Sequence, residues 1–248
     1  MKFAHHAIAA LTLSAGFAAA GILGPGSIAF TGFNADGLDN LAFVALQDLP
    51  AGTQISFTDN EWNGTGWTDN NESAWMWTAL GAIPAGTIIT IDDVNSTSTT
   101  SNLGTVSFLA EGGTNRGIAN SNEAVFAFVG SYASPTAFLA AIGNDPVAVA
   151  GTTLSGTGLT EGLTALFIEG DEDIMAYVGL RNNQIAFDAY RAQINDVANW
   201  ITQDGSGDQS NDGINPDIPF STEAFVIPAP GAMALAGLGV LVATRRRR

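Results

Sequence analysis

Short runs in which apolar and polar residues alternate recur along the middle of the chain, and Gly, Pro, Asn and Asp separate them. Alternation with a period of two is typical of a strand with one buried face. A spacing of about ten residues with turn chemistry between the runs favours an antiparallel β-sandwich, immunoglobulin-like or similar. The predicted strands cover residues 27–33, 41–47, 75–79, 105–109, 124–130, 163–169 and 172–177.

One strand pattern occurs twice. Residues 49–59 read LPAGTQISFTD, and residues 83–92 read IPAGTIITID. Each copy begins with a Pro/Gly turn, continues as an alternating strand and ends at an aspartate, Asp59 or Asp92. Two copies are too few for a solenoid, so we interpret them as two edges of one sandwich.

Helical signals are few. Pro135 stands at the first position and Gly143 at the end of an apolar run, which predicts a short helix over 134–142. Residues 185–200 place their apolar side chains roughly on one face, which predicts a longer helix. The body is therefore predicted to be mainly β with one or two short helices.

The first 20 residues have the features of a secretory signal peptide. Lys2 gives a basic start, residues 7–17 are apolar, and Ala18 and Ala20 supply the small-x-small pattern that signal peptidase cleaves. These features predict an N-terminal signal helix over 1–20. Signal peptidase is thus an expected processing enzyme, and the exported domain would begin at residue 21.

The last residues have a different pattern. An apolar stretch over 229–244 is followed by Arg245, Arg246, Arg247 and Arg248. As a helix the stretch would be about 24 Å long, shorter than the roughly 30 Å hydrocarbon core, but arginine stems and local thinning can cover the difference. The arginines would stay in the cytoplasm. The pattern predicts a single transmembrane helix that anchors the chain in the inner membrane before processing.

Pro228, Ala229 and Pro230, the short apolar helix and the arginine cluster together resemble the PEP-CTERM sorting signal. The motif proper is Pro-Glu-Pro, and here Ala229 replaces the glutamate. The resemblance covers residues 227–248 and implies recognition by an exosortase, a membrane cysteine transpeptidase, near Pro228–Pro230. It also implies a Gram-negative bacterium that makes exopolysaccharide, with the mature protein at the cell surface or in the extracellular matrix.

The body over 21–226 resembles a family of uncharacterised secreted bacterial proteins. The matching segments are 28–37, 49–62 and 204–213. This resemblance implies an exported β-rich domain. We expect a structural or glycan-associated protein, with exopolysaccharide as a partner.

Composition excludes several kinds of chemistry. The chain has no cysteine, and its two histidines and its one lysine, Lys2, lie within residues 1–20. The exported domain therefore cannot assemble a Ser–His–Asp triad or a zinc site with His or Cys ligands. It carries three arginines and all 24 acidic residues, a formal charge of −21, which disfavours nucleic acid as a partner.

Carboxylate chemistry remains open. A pair of acids can hydrolyse glycosides, and Asp59 with Glu61 or Asp92 with Asp93 are candidates. No motif distinguishes these pairs from ordinary acids at strand ends. We therefore expect a protein that is not an enzyme. The alternatives are a secreted carboxylate-dependent glycan hydrolase and an adhesion subunit that binds other proteins.

A Gly-rich loop near the end of the body contains four candidate calcium ligands. Calcium binds six to eight oxygen atoms from carboxylates, amides and carbonyls. Smaller groups of oxygen-bearing side chains occur at 36–40 and 59–61. The alternative is that Asp, Asn and Gly only form turns here. The four candidates are Asp204, Asp208, Asp212 and Asp217.

Tryptophans are concentrated between residues 62 and 77. Trp62 and Trp67 lie among Gly, Asn and Thr, and exposed indoles there could stack on sugar rings. The alternative is that they fill the core, because a tryptophan buries a large apolar area. We note Trp62 and Trp67 as candidate glycan contacts.

Overall fold

The structure, a computed structural model, describes residues 21–68 and 70–229. The predicted signal helix with Ala18 and Ala20 lies outside these residues, as do Pro230 and the arginine cluster of the predicted transmembrane segment. Within the described part, Pro228 is half-buried and Ala229 is exposed. No helix in this part is long and apolar enough to cross a membrane.

The described residues form two six-stranded sheets. In spatial order, the first sheet contains β12 (Trp200–Gln203), β11 (Ile174–Tyr177), β1 (Ile28–Asn34), β2 (Asn40–Ala45), β5 (Ile88–Asp92) and β6 (Thr100–Ser101). The second sheet contains β10 (Ala165–Phe167), β9 (Ser134–Gly143), β8 (Ala124–Ser131), β3 (Gln54–Thr58), β4 (Ala74–Thr78) and β7 (Thr105–Phe108).

The mainly β prediction is confirmed, and each predicted strand coincides with an observed one to within a few residues. One part of it is wrong. Strand β10 runs parallel to β9, so the second sheet is mixed rather than purely antiparallel. The segment 144–164 that joins them crosses the face of the sheet, which lets the second strand enter in the same direction as the first.

A single aromatic core lies between the sheets. Phe43 of the first sheet packs at 5.3 Å from Phe57 and 5.6 Å from Trp77 of the second, measured between ring centroids. Alternation in β3 directs Ile55 and Phe57 into this core. Burial of such side chains is the main stabilising contribution to the fold.

A second apolar cluster covers the opposite face of the second sheet. Trp62, Phe126, Phe128, Phe138 and Phe167 belong to it. Residues of the loops over 62–67 and 147–159 pack on it. Strands β8 and β9 are therefore apolar on both faces, as buried central strands are.

The two copies of the repeat begin together and then separate. Leu49 and Ile83 exchange two backbone hydrogen bonds of 2.8 Å. In each copy a β-turn follows, closed by Thr53 N–H to Pro50 O or by Thr87 N–H to Pro84 O, with a glycine at positive φ in its third position. The first copy then enters the second sheet as β3, and the second enters the first sheet as β5.

The helix predicted over 134–142 is wrong, because this segment is strand β9. Leu139 and Ile142 pack in the core between the sheets, whereas Phe138 and Ala141 pack in the second cluster. A short run that is apolar on all sides fits a buried strand as well as a helix, so periodicity could not distinguish the two.

The long helix predicted over 185–200 is also wrong. The structure has one short helix, α1 (Tyr190–Ile194), between 3₁₀ turns at Phe187–Ala189 and Val197–Asn199. Asn195 donates from Nδ2 to Leu163 O at 3.0 Å, and Asp196 accepts from Ala198 N. These side-chain bonds compete with helical ones, so the helix ends after five residues.

Candidate functional site

Three carboxylates meet where β3 ends and where β4 and β8 begin. Asp59, Glu72 and Glu123 each place one oxygen within 4.8 Å of those of the other two. Asp59 is 3% exposed, Glu123 is 6% exposed, and Glu72 is half-buried. We call these three residues the carboxylate cluster.

Backbone groups hold Asp59 in place. Its Oδ1 accepts a hydrogen bond of 2.7 Å from Ser73 N–H, which joins the end of β3 to the segment before β4. Beside it, Asn60 is fully buried and donates from Nδ2 to Gly112 O at 2.8 Å and Thr58 Oγ1 at 2.9 Å. Buried polar groups that are bonded in this way fix a single loop conformation.

Glu123 is fixed at the start of β8. Its Oε1 accepts from Ala124 N–H at 2.9 Å, and its own N–H donates to Asn144 Oδ1 at 2.8 Å. The Ser73 hydroxyl lies 2.9 Å from Gly117 O and 3.1 Å from Asn115 O. The loop over 115–117 is thereby held against the cluster.

The first sheet contributes a fourth carboxylate. Asp39, just before β2, accepts a hydrogen bond of 2.6 Å from Ile118 N–H. Gly117 has φ of 110°, and a side chain on it would come within 2.7 Å of Asp39 Oδ2, so this position requires glycine. Asp39 and the carboxylate cluster line one cavity of about 330 Å³.

Burial and the charges of neighbouring carboxylates raise the pKa of three of these acids, Asp39, Asp59 and Glu123. Burial, followed by the charges of Asp59 and Glu72, raises the pKa of Glu123 to about 10. Burial likewise raises the pKa of Asp59 well above its usual range, and the charge of Glu72 adds to this. Burial raises the pKa of Asp39 to about 7. A bound cation would reverse these shifts, because it favours the ionised form.

The donor set fits a hard divalent cation. Calcium–oxygen distances are about 2.4 Å, so two ligands of one ion lie at most about 4.8 Å apart, as the three carboxylate oxygens do. The candidate donors are all oxygen atoms, which favour calcium or magnesium over zinc. Aspartate and glutamate side chains of different length give an irregular set of ligands. Calcium accepts such a set more readily than magnesium, which requires a nearly ideal octahedron.

Arg116 is the basic residue that lines this cavity. Its guanidinium lies 4.0 Å from the centroid of the Phe108 ring, and Nη1 donates to Ser96 O at 3.0 Å. The guanidinium thus contacts β7 of the second sheet and the loop between β5 and β6 of the first. The charges that act on Asp59 and Glu123 are those of other carboxylates.

The predicted calcium loop is arranged differently. Asp208 Oδ1 accepts from Ser210 N–H at 2.9 Å, and Asp212 Oδ1 accepts from Ile214 N–H at 2.8 Å. Asp217 Oδ2 accepts from Gly213 N–H at 3.1 Å. Asp204, Asp208 and Asp212 are exposed. These are turn-type hydrogen bonds, and calcium binding by the loop stays a prediction.

The two tryptophans proposed as glycan contacts lie in the second apolar cluster. Trp62 is 7% exposed, packs 4.9 Å from the Phe138 ring centroid and donates from Nε1 to Ser155 O. Trp67 is half-buried and donates from Nε1 to Tyr132 O at 2.8 Å. These contacts support the core alternative for Trp62, and a glycan contact of either residue stays a prediction.

The structure groups Asp59 with acids other than its suggested partner Glu61. Asp59 lies against Glu72 and Glu123, whereas Glu61 Oε2 accepts from Thr68 Oγ1 at 3.2 Å. Asp92, the aspartate at which the second repeat ends, accepts from Asn40 Nδ2 at 3.2 Å. Sequence reasoning missed Glu72 and Glu123, although each stands immediately before or close to a predicted strand.

Searches against protein-family models, curated proteins and solved structures found no match.

Proposed function

We propose that this chain is an exported cell-surface or extracellular-matrix protein, not an enzyme, whose β fold is stabilised by a calcium ion at the carboxylate cluster. The observation that carries this proposal is that carboxylate oxygens of Asp59, Glu72 and Glu123 meet within 4.8 Å in one cavity, where Asp59 and Glu123 are buried. Three such acids are costly to bury unless protons or a cation neutralise them.

The charge of the domain and its extracellular location favour a cation over protons as the group that neutralises these acids. The exported domain carries a formal charge of −21, so its field attracts divalent ions. Extracellular calcium modules bind with dissociation constants of roughly 10⁻⁴ to 10⁻³ M. A site of that affinity would be filled outside the cell and would stabilise only the folded form.

The cellular setting in this proposal rests on the two ends of the sequence. The signal pattern ending at Ala20 supports export, and Pro228–Pro230 with the arginine cluster supports transient anchoring in the inner membrane and processing by an exosortase. The finer fold, a β-sandwich of immunoglobulin-like or similar type, belongs to the same proposal and is supported by the two facing sheets.

The electrostatics of the cluster do not favour Asp59 and Glu123 as the two acids of a hydrolase. A glycosidase needs one carboxyl with a raised pKa and a second that is ionised. Here burial raises the pKa of both Asp59 and Glu123. Neither acid is prepared to act as the ionised partner of the other.

Calcium titration of the full-length protein in detergent, by calorimetry and by thermal unfolding, tests the site. We expect one ion per chain, and at calcium near 100 times the dissociation constant a stabilisation of about 2.7 kcal/mol, or roughly 5–11 °C in melting temperature. Asp59→Asn should weaken binding at least tenfold. The control is Asp92→Asn, at the aspartate that ends the second repeat and lies outside the cavity lining, and it should leave binding within twofold.

Two results would overturn the proposal. One is a melting temperature that calcium and a chelator leave unchanged, together with no heat of binding. The other is equal loss of calcium affinity in Asp59→Asn and Asp92→Asn, which would place the ion elsewhere.

A further inference from the structure

A second, larger cavity lies on the outer face of the second sheet. It has a volume of about 500 Å³ and is lined by Gln54, Ser56, Met76, Glu111 and Tyr132, among others. Ligand pockets typically have volumes of about 300–1,000 Å³. None of these residues belongs to the carboxylate cluster, so the two sites are separate.

Strand alternation creates the floor of this cavity. Ile55 and Phe57 face the core between the sheets, so Gln54 and Ser56 face the opposite side. Ser56 is directly opposite Met76 on β4 and opposite Phe128 on β8. The side chains of Phe128, Ser56 and Met76 therefore lie next to one another across the sheet, as an aromatic ring, a hydroxyl and a thioether.

An aromatic pair closes one side. The Tyr132 ring stacks on Trp67, with 5.5 Å between centroids and 19° between the ring planes. The hydrogen bond from Trp67 Nε1 to Tyr132 O fixes their arrangement. This side of the cavity is therefore rigid before any ligand arrives.

The fold leaves hydrogen-bonding capacity in the floor unused. Ser56 is only 4% exposed, yet no protein group in the described part of the chain hydrogen-bonds to its hydroxyl. The Gln54 amide and the Glu111 carboxylate also line the cavity and make no such bond within the described residues. These groups line the cavity and can therefore hydrogen-bond to water or to a ligand that enters it.

We propose that this cavity binds a short segment of a neutral polysaccharide. Amide, hydroxyl and carboxylate groups hydrogen-bond to sugar hydroxyls, and Met76 with the rim of Tyr132 offers apolar surface to the C–H faces of a sugar ring. The charged group in the cavity, Glu111, and the acidic body repel uronate or sulfated chains. Only the cell-surface setting rests on the proposed function.

Calorimetric titration of the full-length protein with neutral and acidic hexasaccharides tests the cavity. The probes are cellohexaose, maltohexaose, xylohexaose and hexagalacturonate. We expect at least one neutral probe to bind with a dissociation constant below about 1 mM and hexagalacturonate to bind at least tenfold more weakly. Glu111→Gln should reduce that discrimination.

Ser56→Met replaces the hydroxyl in the floor with a longer apolar side chain that projects into the cavity, and it should reduce neutral binding at least tenfold. Its matched control is Ser107→Met on β7, in the same cross-strand row but outside the cavity lining, which should change affinity less than twofold. If Ser56→Met does not fold, Gln54→Ala at an exposed position replaces it, with an expected three- to tenfold loss. The same sugar titrations are repeated with the Asp59→Asn variant in chelator. Sugar binding that persists there is independent of the calcium site, so the two proposals can fail separately.

The proposal is overturned if no neutral probe binds, if hexagalacturonate binds as tightly as the best neutral probe, or if Ser56→Met and Ser107→Met have equal effects. A folded Gln54→Ala variant with unchanged affinity would overturn it in the same way.

Discussion

The carboxylate cluster and the acidic loop over 204–217 contain the same kind of side chain in opposite settings. In the loop, Asp208 and Asp212 accept hydrogen bonds from N–H groups two residues later and are open to solvent. In the cluster, Asp59 and Glu123 are buried against each other, although 64 positions separate them in the chain. The density of acids along the sequence therefore does not locate the strongest electrostatic feature of this fold.

The difference has a physical basis. Exposed carboxylates are hydrated and screened, so their mutual repulsion is small. Buried ones lose hydration and repel each other at low dielectric, so each must be neutralised. Charges on acidic residues therefore change the free energy of unfolding little in the loop. In the cluster, their effect on it depends on pH and on bound cations.

The largest expected effect is the pH dependence of the calcium-free protein. Glu123 and Asp39 have raised pKa values of about 10 and about 7 in the fold, so the folded state holds protons that the unfolded state releases. Their contribution is complete below about pH 4 and is lost as pH rises, by up to about 1.4 kcal/mol per pH unit for each acid. Urea unfolding in chelator at pH 5, 7 and 9 measures this.

Bound calcium should make the free energy of unfolding depend less on pH, because the ion neutralises the carboxylates in place of the protons. Glu123→Gln should also reduce this dependence, since a neutral amide has no proton to lose. An unchanged slope in Glu123→Gln would show that the pH dependence comes from other groups.

Asn60→Ala should have the next largest effect. The side chain is fully buried and joins the segments that present Asp59 and Glu72. Leaving its partners unbonded should reduce the free energy of unfolding by about 2 kcal/mol and weaken calcium binding. Chemical denaturation measures the first effect and calorimetry the second. Asn63→Ala is the control, because Asn63 is exposed and, among the described residues, its side chain bonds only within its own turn. Equal losses in the two variants would contradict this assignment.

Asp208→Ala tests the loop in the same way and should have a smaller effect. The substitution removes the hydrogen bonds to Ser210 N–H and Oγ, which should cost about 1 kcal/mol. Denaturation with and without calcium should give the same difference. A larger loss in calcium than in chelator would instead indicate that Asp208 binds the ion.

The smallest expected effect is that of the quadruple substitution of Asp204, Asp208, Asp212 and Asp217 by asparagine. Asparagine keeps an oxygen for each turn but removes the charge. The calcium dissociation constant of the whole protein should change less than twofold, measured by calorimetry. Loss of binding in this variant would instead assign the ion to the loop and contradict its placement at Asp59.

Much of the fold could be predicted where apolar and polar residues alternate along a strand. Alternation in the repeat at 49–59 located β3, and its Pro-Ala-Gly turn has the hydrogen bond that the residues predict. The prediction failed at β9, which is buried on both faces and so has no alternation. It also failed at 185–200, where Asn195 and Asp196 bond to the backbone and stop the helix.

The candidate site was predicted only in part. Asp59 was recognised as an acid at a strand end, but no local spacing connects it with Glu72 or Glu123. Their shared position at the ends of neighbouring strands is the signal that could have linked them, and using it requires knowing that β3 pairs with both β4 and β8.

By itself the sequence determined a mainly β body without cysteine or histidine, so that oxygen atoms are the ligands it can offer a metal ion. It determined the positions of strands such as β3, in which apolar and polar residues alternate, because alternation gives a strand one apolar face. Only the tertiary structure decided which acids meet, because sheet pairing joins strand ends that lie far apart in the chain. It also decided their protonation, because burial rather than residue type sets the cost of a charge.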